Sequence, residues 1–273
     1  MPELPEVEVT KKSLEDCLKG RSIKSIDIRE KRLRWNLNQT DLNNLIGQKI
    51  QTLTRRGKYI LINTEPGSAL LHLGMSGSIG ILEIDQPLKK HDHFDLIIDS
   101  NHIIRFNDPR RFGSFIWAGK KPEKHKLLSK LGPEPLENKS LGSYLHSLSK
   151  NRKTSIKAFI MNAQVVVGVG NIYANEALFI SGIHPKRKAS RISKKRYVQL
   201  ASAIQETLKR AIAMGGTTLR DFSYSYRGKK IGYFKQELFT YGREGSQCKN
   251  CSRPIKQITL SGRSSFYCSG CQH

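Results

Sequence analysis

Four cysteines carry the most specific chemical signal in the chain. Cys248, Cys251, Cys268 and Cys271 stand as C-x2-C, sixteen residues, then C-x2-C. Two residues between cysteines let both sulfurs of one turn reach a single ion, and two such turns complete a tetrahedron. Four thiolates leave no open coordination position, so the expected cofactor is one structural Zn2+. The intervening IKQITL and SSFYC read as two strands joined at Ser261-Gly262, a β-hairpin zinc finger with Arg263 at its tip. Two disulfides are the competing reading. At the other end, Glu3 and Glu6 follow Pro2 in MPELPEVEV. From spacing alone these carboxylates read as acidic residues complementing a helix N-terminus. His91 and His93 in KHDHFD lack a second metal-like cluster and read as structural.

The partner is suggested by charge. Lys plus Arg outnumber Asp plus Glu by 47 to 23, a formal net charge of +24. A surface of that sign releases counterions when it binds a polyanion, and nucleic acid is the commonest one. A ribosome-associated or halotolerant basic surface stays open on composition. No apolar run approaches the ~20 residues of a membrane span. The acidic N-terminus carries no secretory signal, and the few, paired cysteines suit a reducing compartment. The expectation is an intracellular, cytoplasmic protein.

The elements that must position these residues fall into two parts. The length of 273 residues suits two medium domains. Residues 6 to 18 read as a short helix ending at Gly20. From 22 to 117 the runs SIKSIDI, KIQTLT, KYILINT, ALLHL, SIGILEI, FDLIID, HIIRF and SFIW read as strands, giving an antiparallel β-sandwich or flattened barrel. One helical interruption, TDLNNLIG, is expected to start with Thr40 as N-cap. LGPEPLE at 131 to 137 reads as a boundary, and the period beyond it is helical. The Gly-rich turn 168–170 opens a helix at Asn171, and its backbone N–H groups suit phosphate. Residues 185 to 196 hold seven basic residues in twelve, equally readable as a solvated surface or as a DNA contact. The fold class is therefore α+β: an N-terminal antiparallel β-sandwich domain with flanking helices (1–131), a helical domain (132–240) and the finger (241–273).

PELPEVE, RRGKY, HLGMSG, DPRRFG, GVGNIYANE, GGTTLRDF and the four-cysteine finger occur in that order. Together they resemble the formamidopyrimidine-DNA glycosylase (Fpg/Nei) family along essentially the whole chain. The resemblance implies a monomeric, bacterial-type, nucleoid-associated base-excision-repair enzyme, a DNA glycosylase with AP lyase activity. Its substrate would be double-stranded DNA with oxidised bases or abasic sites. The helical domain would be the family's helix–two-turn–helix element. The resemblance also implies removal of Met1, which frees the secondary amine of Pro2. An α-amino group titrates near ~8 against ~10.4 for lysine, so more of it is unprotonated and nucleophilic at neutral pH. Attack on C1′ would expel the base and leave an iminium, from which β- and δ-elimination cut both sides. Glu3 is implied as general acid/base, Glu6 as its support, and Lys58 as part of the catalytic set. Met75, Arg110 and Phe112 are implied to fill the gap left by the everted nucleotide. Lys58, His72, Arg111, Asn171, Tyr241 and Arg263 are implied to grip the backbone, and Thr217 and Thr218 to contact the lesion from a closing loop. HLGMSG with DPRRFG favours oxidised purines (8-oxoguanine, formamidopyrimidines). The alternatives are a Nei-like enzyme for oxidised pyrimidines and a non-catalytic binder of damaged DNA. The residues after GGTTLRDF, SYSYRGKKIGYF, are more basic and aromatic than the family pattern.

Overall fold

The computed structural model describes residues 2–98, 101–215, 224–226, 229–231 and 238–273. Thr217 and Thr218 lie outside the described residues. The chain divides into two compact units, Met1–Ser129 with Met214–Lys235, and Lys130–Ala213 with Gln236–His273. Among the described residues, no helix is long and apolar enough to cross a membrane.

In the first unit α1 (Leu4–Leu18) precedes eight strands: β1 (Ile23–Ile28), β2 (Thr52–Arg56), β3 (Tyr59–Asn63), β4 (Ser68–His72), β5 (Ser78–Glu83), β6 (Asp92–Ile98), β7 (His102–Asn107) and β8 (Ser114–Gly119). These coincide, to within a few residues, with the eight β-like runs read between turn signals in the sequence. A short α2 (Gln39–Leu42) lies between β1 and β2. Its N-cap is Asn38 rather than Thr40, because the Asn38 side chain accepts from the amides of Thr40 and Asp41. Asparagine reaches those donors at least as well as threonine, so the helix starts earlier than expected.

Among the described residues one sheet runs β2-β3-β4-β8, all antiparallel, and a second runs β1-β6-β7-β5. To β5 the second sheet adds β9 (Tyr224–Tyr226) in parallel and then β10 (Lys229–Ile231), its hairpin partner. The inner faces share one core, in which the Phe94 ring stacks on Phe106 and on Phe115 from the other sheet. The middle residues of β3 and β4 are buried on both faces, and α1 packs against β2 and β3 of their sheet.

The second unit carries α3 (Leu141–Ser149), α4 (Ile156–Ile160), α5 (Asn171–Ile180), α6 (Lys194–Ala213) and the hairpin of β11 (Ile255–Leu260) and β12 (Arg263–Cys268). Ser261 and Gly262 both have positive φ, 49° and 72°, as a two-residue I′-type hairpin turn requires.

Candidate active site

At the start of α1, Pro2, Glu3 and Glu6 are all buried, the two acids being 1% and 2% exposed. The Glu6 carboxylate accepts the Glu3 amide at 2.8 Å, and Glu3 reciprocates as a capping box. A solvated helix cap would not require burial, so the pair combines capping with a protected acidic environment beside Pro2. Glu8 anchors the same helix to the sheet through the Arg55 guanidinium at 2.7 Å. Arg55 also donates to the Gly57 carbonyl at 3.0 Å, holding the turn that presents Lys58. Arg55 was legible only as part of RRGKY; its bridging role emerges from the fold.

Lys58 and His72 stand close enough to interact. The imidazole is pushed down to about 4, first by burial and then by the positive charges of Lys58 and Arg34. It is therefore neutral at pH 7. Its Nδ1 accepts the Gly74 amide at 3.0 Å, so Nε2 carries the proton and is the free donor. The Tyr59 ring lies across the strand pair from it, with centroids 4.7 Å apart.

Met75, Arg110 and Phe112 gather on two loops pressed together. Asp108, fully buried, accepts from the Ser76 hydroxyl at 2.6 Å and from the Gly113 amide at 2.8 Å. His93 Nε2 donates to the Asp108 carbonyl at 2.7 Å, which gives that buried histidine its structural role. A Cβ on Gly74, where φ is +66°, would sit 2.4 Å from the Phe112 backbone, so glycine permits this approach. Met75 and Phe112 remain 36% and 41% exposed, unlike core residues of their size. The Arg110 guanidinium lies 4.9 Å over the Phe112 ring. Next to it Arg111, with φ of 57°, pairs with Glu30 at 3.0 Å. Glu30 is held at about 2, chiefly by side-chain and backbone hydrogen bonds from Arg32 and further by Arg111. Sequence reading singled out neither Glu30 nor Asp108. An acid in a strongly basic chain was the available signal.

The second unit assembles Asn171, Tyr241 and Arg263 around the finger. Asn171 Nδ2 donates to the Ser264 carbonyl at 3.1 Å. Lys157, 1% exposed, donates to that carbonyl and to the Ser265 hydroxyl, both at 2.7 Å. Asn175 Oδ1 accepts the Phe266 amide at 2.7 Å. Glu176, equally buried, accepts the amides of Phe239, Thr240 and Tyr241 and the Thr240 hydroxyl at 2.7–3.1 Å. Each buried charge is thus satisfied by backbone dipoles or hydroxyls. Tyr241 packs edge-on against Phe266, and Arg263 stands exposed at the hairpin turn.

The four cysteine sulfurs lie within 4.8 Å of one another and none is in a disulfide. Cys251 and Cys268 approach to 3.3 Å, Cys248 and Cys271 to 3.8 Å. Tetrahedral thiolates about 2.3 Å from a zinc ion would stand about 3.8 Å apart, so the cluster fits one metal ion. Gln272 ties the second knuckle down, accepting the Cys268 amide and donating to the Ile183 carbonyl, both at 2.9 Å.

Comparison with known proteins agrees with this arrangement. The formamidopyrimidine-DNA glycosylase N-terminal domain matches residues 1–115, and the H2TH domain of the same enzyme family matches residues 131–223. The formamidopyrimidine-DNA glycosylase of Nitrosococcus oceani is 50% identical over 273 residues, covering 100% of both chains. That of Stenotrophomonas maltophilia is 51% identical over 274 residues, again covering 100% of both. Among solved structures, Lactococcus lactis Fpg in complex with DNA containing an abasic site has a TM-score of 0.89 at 29% identity, covering 99% of both chains. A MutM complex with DNA containing carbocyclic 8-oxo-G gives the same TM-score at 30% identity over 100% of both. Matching sequence over its full length and a matching fold lead to one conclusion: this chain belongs to the formamidopyrimidine-DNA glycosylase family.

Proposed function

We propose that this chain is a bifunctional DNA glycosylase and AP lyase that removes oxidised purines from duplex DNA. The supporting observation is the burial of two carboxylates directly after Pro2, one holding the backbone of the other at 2.8 Å. With Met1 removed, the Pro2 nitrogen forms a bond to C1′ while the bond from C1′ to the damaged base breaks. Glu3 moves the protons this requires, and Glu6 holds Glu3 in place. Breaking of the C1′–O4′ bond, with a proton delivered to O4′ and the N–H proton lost from Pro2, opens the sugar ring and converts this adduct to an iminium. The neighbouring C2′ proton then becomes acidic, and β- then δ-elimination release the two flanking phosphates.

Extrusion of the nucleotide leaves a gap in the stack. Met75 and Phe112 wedge into it, and Arg110 bonds the orphaned base. Lys58, neutral His72, Arg111, Asn171, Tyr241 and Arg263 hold the backbone phosphates, while Thr217 and Thr218 contact the everted base. Cys248, Cys251, Cys268 and Cys271 hold one structural Zn2+, which supplies rigidity to the finger. Such an enzyme acts where duplex DNA is, at the nucleoid.

Borohydride trapping on duplexes carrying 8-oxoguanine or thymine glycol, with mass mapping of the adduct, tests the proposal. An adduct on Pro2 with 8-oxoguanine is expected. An adduct with thymine glycol alone would transfer the chain to oxidised pyrimidines. No adduct with either, once Met1 removal is verified, would overturn the covalent mechanism.

A further inference from the structure

Between Glu137 and Glu206 the sequence holds twelve lysines and arginines and a single carboxylate, Glu176. That carboxylate is buried and occupied by backbone amides, so it neutralises nothing at the surface. The fold concentrates the excess further. The segment from 184 to 190 runs against 152 to 157: Ile156 donates to the Arg187 carbonyl at 2.7 Å, Ala189 to Thr154 at 2.9 Å and Ser190 to Arg152 at 3.3 Å. Arg152 and Lys153 are thereby brought beside Lys186, Arg187 and Lys188.

The exposure pattern is selective. From 186 to 195 the two apolar residues, Ala189 and Ile192, are buried, and every other residue is exposed and is lysine, arginine or serine. Arg196, by contrast, spends its guanidinium on the carbonyls of Gly182 and His273 and belongs to the scaffold. Like charges gathered without carboxylates work against folding, so packing does not account for them. A protein interface would offer apolar or aromatic anchors at its centre, and a membrane-surface helix would offer an apolar face. This surface offers only cations and hydroxyls, the donor set that meets phosphate oxygens. It also continues from the finger. Lys157 bonds the Ser264 carbonyl, next to Arg263, through its Nζ, and its amide faces the Pro185 carbonyl at the head of the basic run.

We propose that Arg152, Lys153 and the exposed basic residues of 186–195 form a second, sequence-independent contact for the phosphate backbone of duplex DNA, distinct from the residues that grip the lesion. It raises affinity for undamaged DNA and so serves the search rather than the chemistry. The inference rests on the reading of this chain as a duplex-DNA-binding protein, and is independent of the excision step.

The test is binding of the full-length, metal-loaded protein to undamaged duplexes of increasing length, across a salt titration. The variant carries Lys186→Ser, Lys188→Ser, Arg191→Ser and Lys194→Ser. Each lost phosphate contact lowers the slope of log K against log salt by about 0.9, so a slope shallower by roughly 2 to 4 is expected on long duplexes. Replacing the three lysines by arginine instead should keep the wild-type slope, which separates charge from misfolding. An unchanged slope on duplexes of every length would overturn the proposal. So would a variant that loses binding to poly-glutamate while its DNA binding is unaltered, since that outcome assigns the surface to an acidic protein. Because the readout is binding to undamaged DNA, it is decided whether or not Pro2 traps a lesion.

Discussion

At the residue scale, the acids are placed for different work. Glu3 and Glu6 are buried and mutually hydrogen-bonded, so each can act on the other's position. Glu3→Gln should bind lesion DNA as the native protein does while losing about 10²-fold or more in single-turnover excision. Normal turnover in that variant would remove Glu3 from the proton transfer. Glu30 instead occupies the guanidinium of Arg111 as a phosphate would. Its carboxyl is held near 2, so the pair is intact at any working pH and fails only on strong acidification. Glu30→Gln should tighten binding to an abasic-site duplex a few-fold at low salt and steepen its salt dependence. Weaker binding would mean that Glu30 orients Arg111 rather than competing for it. His72 titrates near 4 when folded and near ~6.5 when unfolded. Between those values the unfolded chain binds a proton the native one does not, so stability falls as pH drops through that window. His72→Asn should reduce this acid loss, as read from urea midpoints between pH 7 and pH 4.

At the element scale, hairpins and helix starts do the positioning. The loop of Met75 and the turn of Arg110 to Phe112 hold together because Asp108 bonds both and Gly74 leaves room for the contact. The finger is held to α4 and α5 by Lys157, Asn171, Asn175 and Glu176, whose polar atoms meet the backbone of the hairpin and of residues 239–241. A carboxylate with four donors cannot be replaced by an amide without leaving some of them unmatched. Glu176→Gln should therefore lower the stability of the second unit by about 2–4 kcal/mol and weaken DNA binding. Denaturant unfolding followed by tyrosine fluorescence would check this. An unchanged midpoint would show that water replaces the carboxylate without cost.

At the scale of the whole molecule, two separately cored units share one strongly basic chain. Among the described residues, the cysteine cluster lies in the second unit. Chelating the metal, or Cys268→Ser, should unfold the finger and weaken DNA binding while the first unit stays folded. Calorimetry should then show loss or lowering of one transition and preservation of the other. Equal shifts in both would contradict the division. Metal analysis of freshly purified protein should return one zinc per chain.

Local patterning was enough to specify a good deal. Short β-like runs bounded by turn residues marked the eight strands β1 to β8, because apolar and β-branched residues fit a pleated, buried or half-buried surface and turn residues end it. The C-x2-C spacing marked the metal cluster, because one turn brings both sulfurs to one point. The motifs from PELPEVE to the finger marked the family. What remained for tertiary structure depends on contacts distant in sequence. A β-like run does not say that β9 joins β5 in parallel across more than a hundred residues. Nor does it say that Met75 and Phe112 stay exposed while Phe115 is buried. Glu30 meeting Arg111, Lys157 meeting Ser264 and two basic segments pairing side by side are likewise products of chain closure. A side chain's type and local spacing limit what it can do, but its partner is chosen by the fold that brings the remote segment to it.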